Sequence, residues 1–267
     1  MSTAVVISSC DLYSDCWAPM IYSIEKYWPD CPYPIFLIAN YETMEFPGVS
    51  IINVGEHKGF GSNMKKALRI IQASNILLLL DDFFLCQTVD TAMVESHVTH
   101  CESKNVDFLK IDSSEIINRD NLRISDTEYC LNPISNKYSI NAAIAIWQKS
   151  ILEVLCVEGF SAWDFERKSR SVIKDLKIKI KSETIYSQNI DTMTIKKISG
   201  AGAVRKGRWT SEGILFLKEN GFKYLIPGRE KEGPVTSYLT SLYSLNPLIW
   251  LFPGLLLKII QKLKINI

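Results

Sequence analysis

The stretch Asn75-Ile76-Leu77-Leu78-Leu79-Leu80-Asp81-Asp82-Phe83-Phe84-Leu85 decides how the chain is read. Five apolar residues run unbroken into two adjacent carboxylates. So short a run, without helical spacing, predicts a strand buried on both faces, the pattern of a parallel sheet covered by helices. Two acids are costly to bury unpaired, and the carboxyl end of such a strand is where open α/β sheets bind ligands. Asp81 and Asp82 are therefore candidate ligands for Mn²⁺ or Mg²⁺, hard cations that take carboxylate oxygen and keep phosphates or water as their other ligands. The alternative is a strand end whose acids face solvent or cap a helix.

Upstream of this stretch, strands and helices alternate. Residues 4–8 are a β-branched apolar run, and Ser9 and Asp11 follow at its carboxyl end. Residues 18–28 show helical spacing of Ile21, Ile24 and Trp28, stopped by Pro29. Further strands are expected over 33–38 and 50–54, then a helix capped by Ser62 and running to about Ala73. Strand and helix in alternation call for a doubly wound α/β sheet, mostly parallel, with helices on both faces. Ser9 and Asp11 can contact a base or ribose, or simply cap a helix. Lys65 and Lys66 can reach a phosphate, or line a solvated helix face. No Gly-x-Gly-x-x-Gly follows the first strand and there is no Walker loop, which disfavours a dehydrogenase or P-loop enzyme.

In the middle section, a helix over 92–103 leads to a strand over 106–111, a polar loop-rich stretch over 118–137, a long apolar strand over 138–147 with Asn141 near its start, and a helix over 148–157. Ser161-Ala162-Trp163-Asp164-Phe165-Glu166-Arg167 is the second chemical candidate. Ser161 suits an N-cap, and an acid three residues on is favoured by the helix dipole. An apolar wall raises a carboxylate's pKa and makes it a usable base, and sugars stack on aromatic faces such as Trp163. Two residues apart on a helix, Asp164 and Glu166 diverge by about 200°. Glu166 is thus the expected functional acid and Asp164 the capping one.

Composition sets the bounds. The 267 residues are 47% hydrophobic and 22% charged, enough for a sizeable core, which excludes a disordered chain. Thirty basic against 29 acidic residues give a net charge of +1, without the basic excess of a nucleic-acid-binding protein. Seven cysteines without Cys-x-x-Cys spacing read as reduced thiols of a cytosolic protein. The N-terminus has no basic or long apolar region of a signal peptide.

The segments Ser9-Cys10-Asp11-x-Tyr13-Ser14-Asp15, Lys26-Tyr27-Trp28-Pro29-Asp30-Cys31-Pro32-Tyr33, Leu80-Asp81-Asp82-Phe83-Phe84, Trp163-Asp164-Phe165-Glu166 and Val204-Arg205-Lys206-Gly207-Arg208-Trp209, in that order, resemble small bacterial glycosyltransferases of the GT-A fold, of the kind found in capsule and O-antigen gene clusters. The resemblance implies transfer of a sugar from a nucleotide-sugar, most commonly a UDP-sugar, to a hydroxyl of a growing surface glycan, with no nucleic acid involved. It implies that Asp81 and Asp82 bind Mn²⁺ or Mg²⁺ on the donor diphosphate, and that the segment of Asp164 and Glu166 opens the acceptor-side helix and supplies the base of inverting members. Asn141 and Trp163 would hold donor or acceptor sugar. Arg205, Lys206 and Arg208 could close over the leaving diphosphate, or form a surface basic loop. The chain departs from the family pattern twice: the usual motif is Asp-x-Asp, and the only histidines are His57, His97 and His100, none of them late in the chain. The other class of reading is a non-catalytic sugar-nucleotide or glycan-binding partner in an assembly complex.

The expected organisation is a GT-A-like domain over 1–232, with a nucleotide-sugar-binding half (1–110) and an acceptor half (111–232), and a tail over 233–267. The apolar run from Pro247 to Leu257 is too short to span a bilayer, and Pro253-Gly254 breaks it. Trp250, Phe252, Lys258, Lys262 and Lys264 have the composition of a segment lying in a membrane surface. A cytoplasmic protein held on the inner face of the membrane, near a lipid-linked acceptor, is the expectation. A tail docked on its own domain or on a homodimer partner is the alternative.

Overall fold

The computed structural model describes residues 2–111, 128–132, 134, 139–142, 144–186 and 202–233. Most of the expected loop over 118–137, residues 138 and 143 of the expected 138–147 strand and the tail beyond residue 233 lie outside the described residues.

Eight strands form one sheet: β1 (Thr3–Ser8), β2 (Ile35–Ala39), β3 (Val49–Asn53), β4 (Asn75–Leu80), β5 (Phe108–Lys110), β6 (Glu128–Leu131), β7 (Ala145–Gln148) and β8 (Ser182–Tyr186), in the order β3-β2-β1-β4-β7-β5-β8-β6. β3, β2, β1 and β4 pair in parallel, β7 runs against both β4 and β5, β8 is parallel to β5, and β6 runs against β8. Only β6 and β7 oppose the rest, so the sheet is mostly parallel and strands of both sequence halves share it. In β1, Val5 and Ile7 face one core while Ala4 and Val6 face the other, all four fully buried. Burying each such side chain contributes about 1.5–3 kcal/mol.

Helices cover both faces. α1 (Trp17–Tyr27), α3 (Thr91–Lys104) and α6 (Ser211–Glu219) pack on the face of Val5, and α2 (Phe60–Ile70), α4 (Lys149–Leu155) and α5 (Ala162–Asp175) on the face of Val6. Among the described residues no helix is long and apolar enough to cross a membrane. All seven cysteines are free thiols.

Two local expectations are corrected. Ser62 does not cap α2; Gly59 holds the cap position. Ser62 instead donates to the Lys58 carbonyl (2.8 Å) and accepts from the Gly159 amide (3.0 Å), tying the helix start to the loop before α5. The loop comes so close that a Cβ on Gly61 would stand 2.1 Å from the Val157 oxygen. Among the described residues of the long apolar segment ending at Trp147, the strand begins at Ala145 and runs to Gln148, while Asn141, Ala142 and Ile144 lead into it as non-repetitive chain.

Candidate active site

β1 leads through α1, on one face, to β2. β3 leads through α2, on the other face, to β4 on the far side of β1. The chain therefore reverses its winding between β1 and β4, and the carboxyl ends of these two strands bound a ligand crevice of the doubly wound type. Ser9, Asp81 and Asp82 all stand there. The carboxylates are only 7% and 8% exposed. The Ser9 hydroxyl donates to Asp81 Oδ2 and accepts from Trp17 Nε1 at 2.6 Å, so a buried indole fixes the acid through one hydroxyl. Burial pushes both carboxyls above the usual carboxylate range, with the charge of Asp82 adding to the rise at Asp81.

The segment from Gly202 lies against Asp82. The Ala203 amide donates to the Asp82 carbonyl (2.7 Å) and the Val204 amide to Asp82 Oδ2 (3.4 Å). Gly202 has φ +74°, and a Cβ there would meet Asp82 Oδ2 at 2.5 Å. Gly202→Ala is therefore expected to destabilise the protein by about 1–2 kcal/mol through the left-handed backbone alone and to weaken any cation bound at Asp82. Thermal melting with and without Mn²⁺ checks both; an unchanged melting temperature and an unchanged Mn²⁺ shift would show that the segment does not press on the acid. The segment continues as a hairpin of β9 (Val204–Arg205) and β10 (Arg208–Trp209), turning through Lys206 and Gly207 at φ 49° and 77°, and Thr210 caps α6.

Arg229 closes this C-terminal part back onto the turn after β1. Its Nε and Nη2 grip Asp15 at 2.5 and 2.6 Å, Nη2 also donates to the Leu12 carbonyl at 2.7 Å, and the guanidinium lies 4.4 Å from the centre of the Tyr13 ring. Its charge lowers both site carboxyls, partly offsetting their burial.

The acceptor-side candidates reach the same rim. Leu78 pairs with Ala145 and Ala145 with Lys110, so Asn141 and Ala142, which precede antiparallel β7, come in at the carboxyl edge of β4. Glu166 Oε1 accepts the Ala142 amide at 2.9 Å. Burial raises the Glu166 pKa against the lowering effects of that hydrogen bond and of Lys110. Asn141 is buried and its Oδ1 has no partner among the described residues. Asp164 forms the reciprocal capping box with Ser161, and Lys168 and Ser161 hold it down at about 2. The flanking aromatics separate: Phe165 is fully buried against Trp147 and Phe60, while Trp163 is 66% exposed.

The remaining candidates are already engaged or stand apart. Asp11 accepts the amides of Asn40 (2.7 Å), Tyr41 (2.9 Å) and Glu42 (3.3 Å), pinning the end of β2. Lys66 donates to the Val54 carbonyl (2.7 Å), and Lys65 lies on the flank of α2, beside Cys156. Arg205 pairs with Glu232 (2.8 Å) and Arg208 with Glu230 (2.9 Å), leaving Lys206 exposed at the hairpin tip. Arg229 carries no local signal in the sequence, and Tyr13 and Asp15 enter only within the first resembling segment, since the ion pair bridges 214 positions. Among the described residues no three His, Cys, Asp or Glu side chains are grouped to hold a metal.

No protein-family model matches the chain, and no curated protein matches it. Solved structures with a similar layout include S. aureus TarS (13% identity over 71% of this chain and 36% of that one, TM-score 0.45), TarS 1–349 in complex with UDP-GlcNAc (12%, 71% and 57%, 0.45) and a cytidylyltransferase from Leptospira borgpetersenii (14%, 71% and 77%, 0.42). The chain spans between about a third and three fifths of the TarS chains it matches. None of these scores reaches 0.5, so fold and site rest on this chain's own sheet order and side chains.

Proposed function

We propose that this protein is a glycosyltransferase that moves a sugar from a nucleotide-sugar, a UDP-sugar first among the candidates, to a hydroxyl of a growing surface glycan. The observation that carries the reading is the buried Asp81–Asp82 pair at the crevice where the sheet reverses its winding. Two adjacent carboxylates, both pushed up by burial, form a donor set that fits Mn²⁺ or Mg²⁺ bound jointly with phosphate oxygens. Such an ion would supply positive charge to the departing diphosphate. On the acceptor side, Glu166 takes the proton of the attacking hydroxyl, the hydroxyl oxygen bonds to the anomeric carbon, and the nucleoside diphosphate leaves with the bonding pair. A base opposite the leaving group inverts the centre. Asn141, with its free acceptor oxygen, and exposed Trp163 would position a sugar ring.

Purified protein incubated with a panel of nucleotide-sugars and Mn²⁺ tests this. Release of a nucleoside diphosphate, abolished by EDTA, is the expected result. Binding without turnover would favour the non-catalytic partner, and release of pyrophosphate from a nucleoside triphosphate would favour a nucleotidyltransferase.

The tail is proposed to hold the enzyme on the inner membrane surface, beside a lipid-linked acceptor. Insertion of Leu248, Ile249, Trp250, Phe252 and Leu255 at the interface would contribute about 1.5 kcal/mol or more each, and three lysines about 1 kcal/mol each near anionic lipid. Cutting after Glu232 is expected to leave a folded domain. Glu232 is itself tied to Trp209 (2.9 Å) and Arg205 (2.8 Å), so the cut must not fall earlier. The shortened protein should keep activity on a short soluble acceptor and stop co-sedimenting with anionic liposomes. Unfolding on truncation would place the tail in the core, and full-length protein that ignores liposomes but shifts from dimer to monomer on truncation would make it a dimer contact.

A further inference from the structure

An open cavity of about 650 Å³ lies between the turn after β1 and the β9–β10 hairpin, bordered by Ser14, Asp15, Lys206, Arg208, Arg229 and Glu230. Its cations are not equivalent. Arg208 is exposed and held by Glu230, and Lys206 projects from the hairpin tip. Arg229 is different: its side chain is only 10% exposed. Asp15 occupies the Nε–Nη2 edge of its guanidinium, Leu12 the remaining Nη2 proton, and Tyr13 one of its faces. Nη1, on the edge opposite Asp15, has no protein partner among the described residues. A guanidinium keeps five donors in a fixed plane, so clamping one edge aims the other. Asp15 and Leu12, which hold this guanidinium, belong to the turn that follows Ser9 at the carboxyl end of β1.

We infer that this cavity is a phosphate-binding subsite, with Arg229 Nη1 as its fixed donor and Lys206, exposed at the hairpin tip, as its second cation. Planar, charge-assisted recognition of phosphate is what a pre-oriented guanidinium does best, and Asp15 serves as its positioning partner. The subsite rests on and deepens the donor reading: the turn that borders the cavity follows Ser9, the partner of Asp81, and the hairpin that borders it begins at Val204, whose amide bonds Asp82. A phosphate-bearing acceptor offers the same chemistry from the other side of the reaction.

Calorimetric titration of the full-length protein with pyrophosphate and, separately, with dodecyl phosphate, each with Mn²⁺, tests the subsite and separates the sources. Preference for pyrophosphate assigns it to the donor, and preference for the alkyl phosphate assigns it to a lipid-linked acceptor. Arg229→Gln is expected to weaken the preferred probe about tenfold or more, Arg229→Lys less because charge remains without the fork, and Lys206→Gln about threefold. Lys206 is exposed at a turn, so its variant stays informative even if Arg229→Gln melts early. Wild-type affinity in both the Lys206→Gln and Arg229→Lys proteins, or no binding of either probe by wild type, overturns the subsite. If phosphate binding follows these variants but no nucleotide-sugar is consumed, the donor reading fails and the subsite stands. If pyrophosphate is the preferred probe and Arg229→Gln still turns over nucleotide-sugar with wild-type kcat and KM, the subsite fails and the donor reading stands.

Discussion

Asp81→Asn and Asp82→Asn are each expected to lose nearly all Mn²⁺-dependent turnover and yet to melt above wild type at neutral pH in the absence of metal. Both carboxyls are raised in the folded protein, chiefly by burial. The folded state therefore binds their protons more tightly than the unfolded chain does. By linkage, the contribution of this pair to stability is fully present below the ordinary carboxylate range near about 4 and is lost as pH rises through the raised values. At neutral pH the buried negative pair opposes folding, and replacing one member with a neutral isostere relieves it. A divalent cation relieves it in wild type by another route, so Mn²⁺ should raise the wild-type melting temperature at neutral pH and leave the two variants nearly unmoved. Melting curves across pH, with Mn²⁺ or EDTA, read this without any substrate. Full activity in EDTA, or variants that melt below wild type while metal shifts nothing, would remove the cation from the site.

Glu166→Gln is expected to leave nucleotide-sugar binding intact and to lower kcat by about 10²-fold or more, the contribution of a general base. The side chain is held at the rim by the Ala142 amide, and burial raises its pKa. A base must be deprotonated, so the wild-type rate should climb with pH across a limb lying above the ordinary carboxylate range, and the Gln variant should lose that limb. Asp164→Asn should behave in the opposite manner, with turnover kept and melting temperature lowered, because its carboxylate serves the capping box. If Asp164→Asn is the inactive variant, the two acids exchange roles.

What the sequence determined by itself was local. The apolar runs of β1 and β4 announce strands buried on both faces because every residue in them is apolar or small, and the two acids that end β4 mark the mouth of a crevice. Ser161 and Asp164 announce the start of α5 because the whole capping box lies within four residues. The alternation of strands and helices before residue 110 carries the doubly wound class, since a parallel neighbour is usually reached through a crossover helix, although β2 and β3 pair in parallel without one. Other features depended on the order in which strands come together. β8 pairs between β5 and the edge strand β6, and antiparallel β7 slots between β4 and β5, which brings Ala142 and Glu166 toward the carboxyl end of β4. Ser9 proved to be the partner of Asp81, and Asp11 the clasp on the end of β2. Phe165 and Trp163 look alike in sequence, yet the way α5 sits on the sheet buries one and exposes the other. Arg229 finds Asp15 across 214 positions. No local pattern encodes such a pair, because its geometry exists only once the sheet between the two residues has formed.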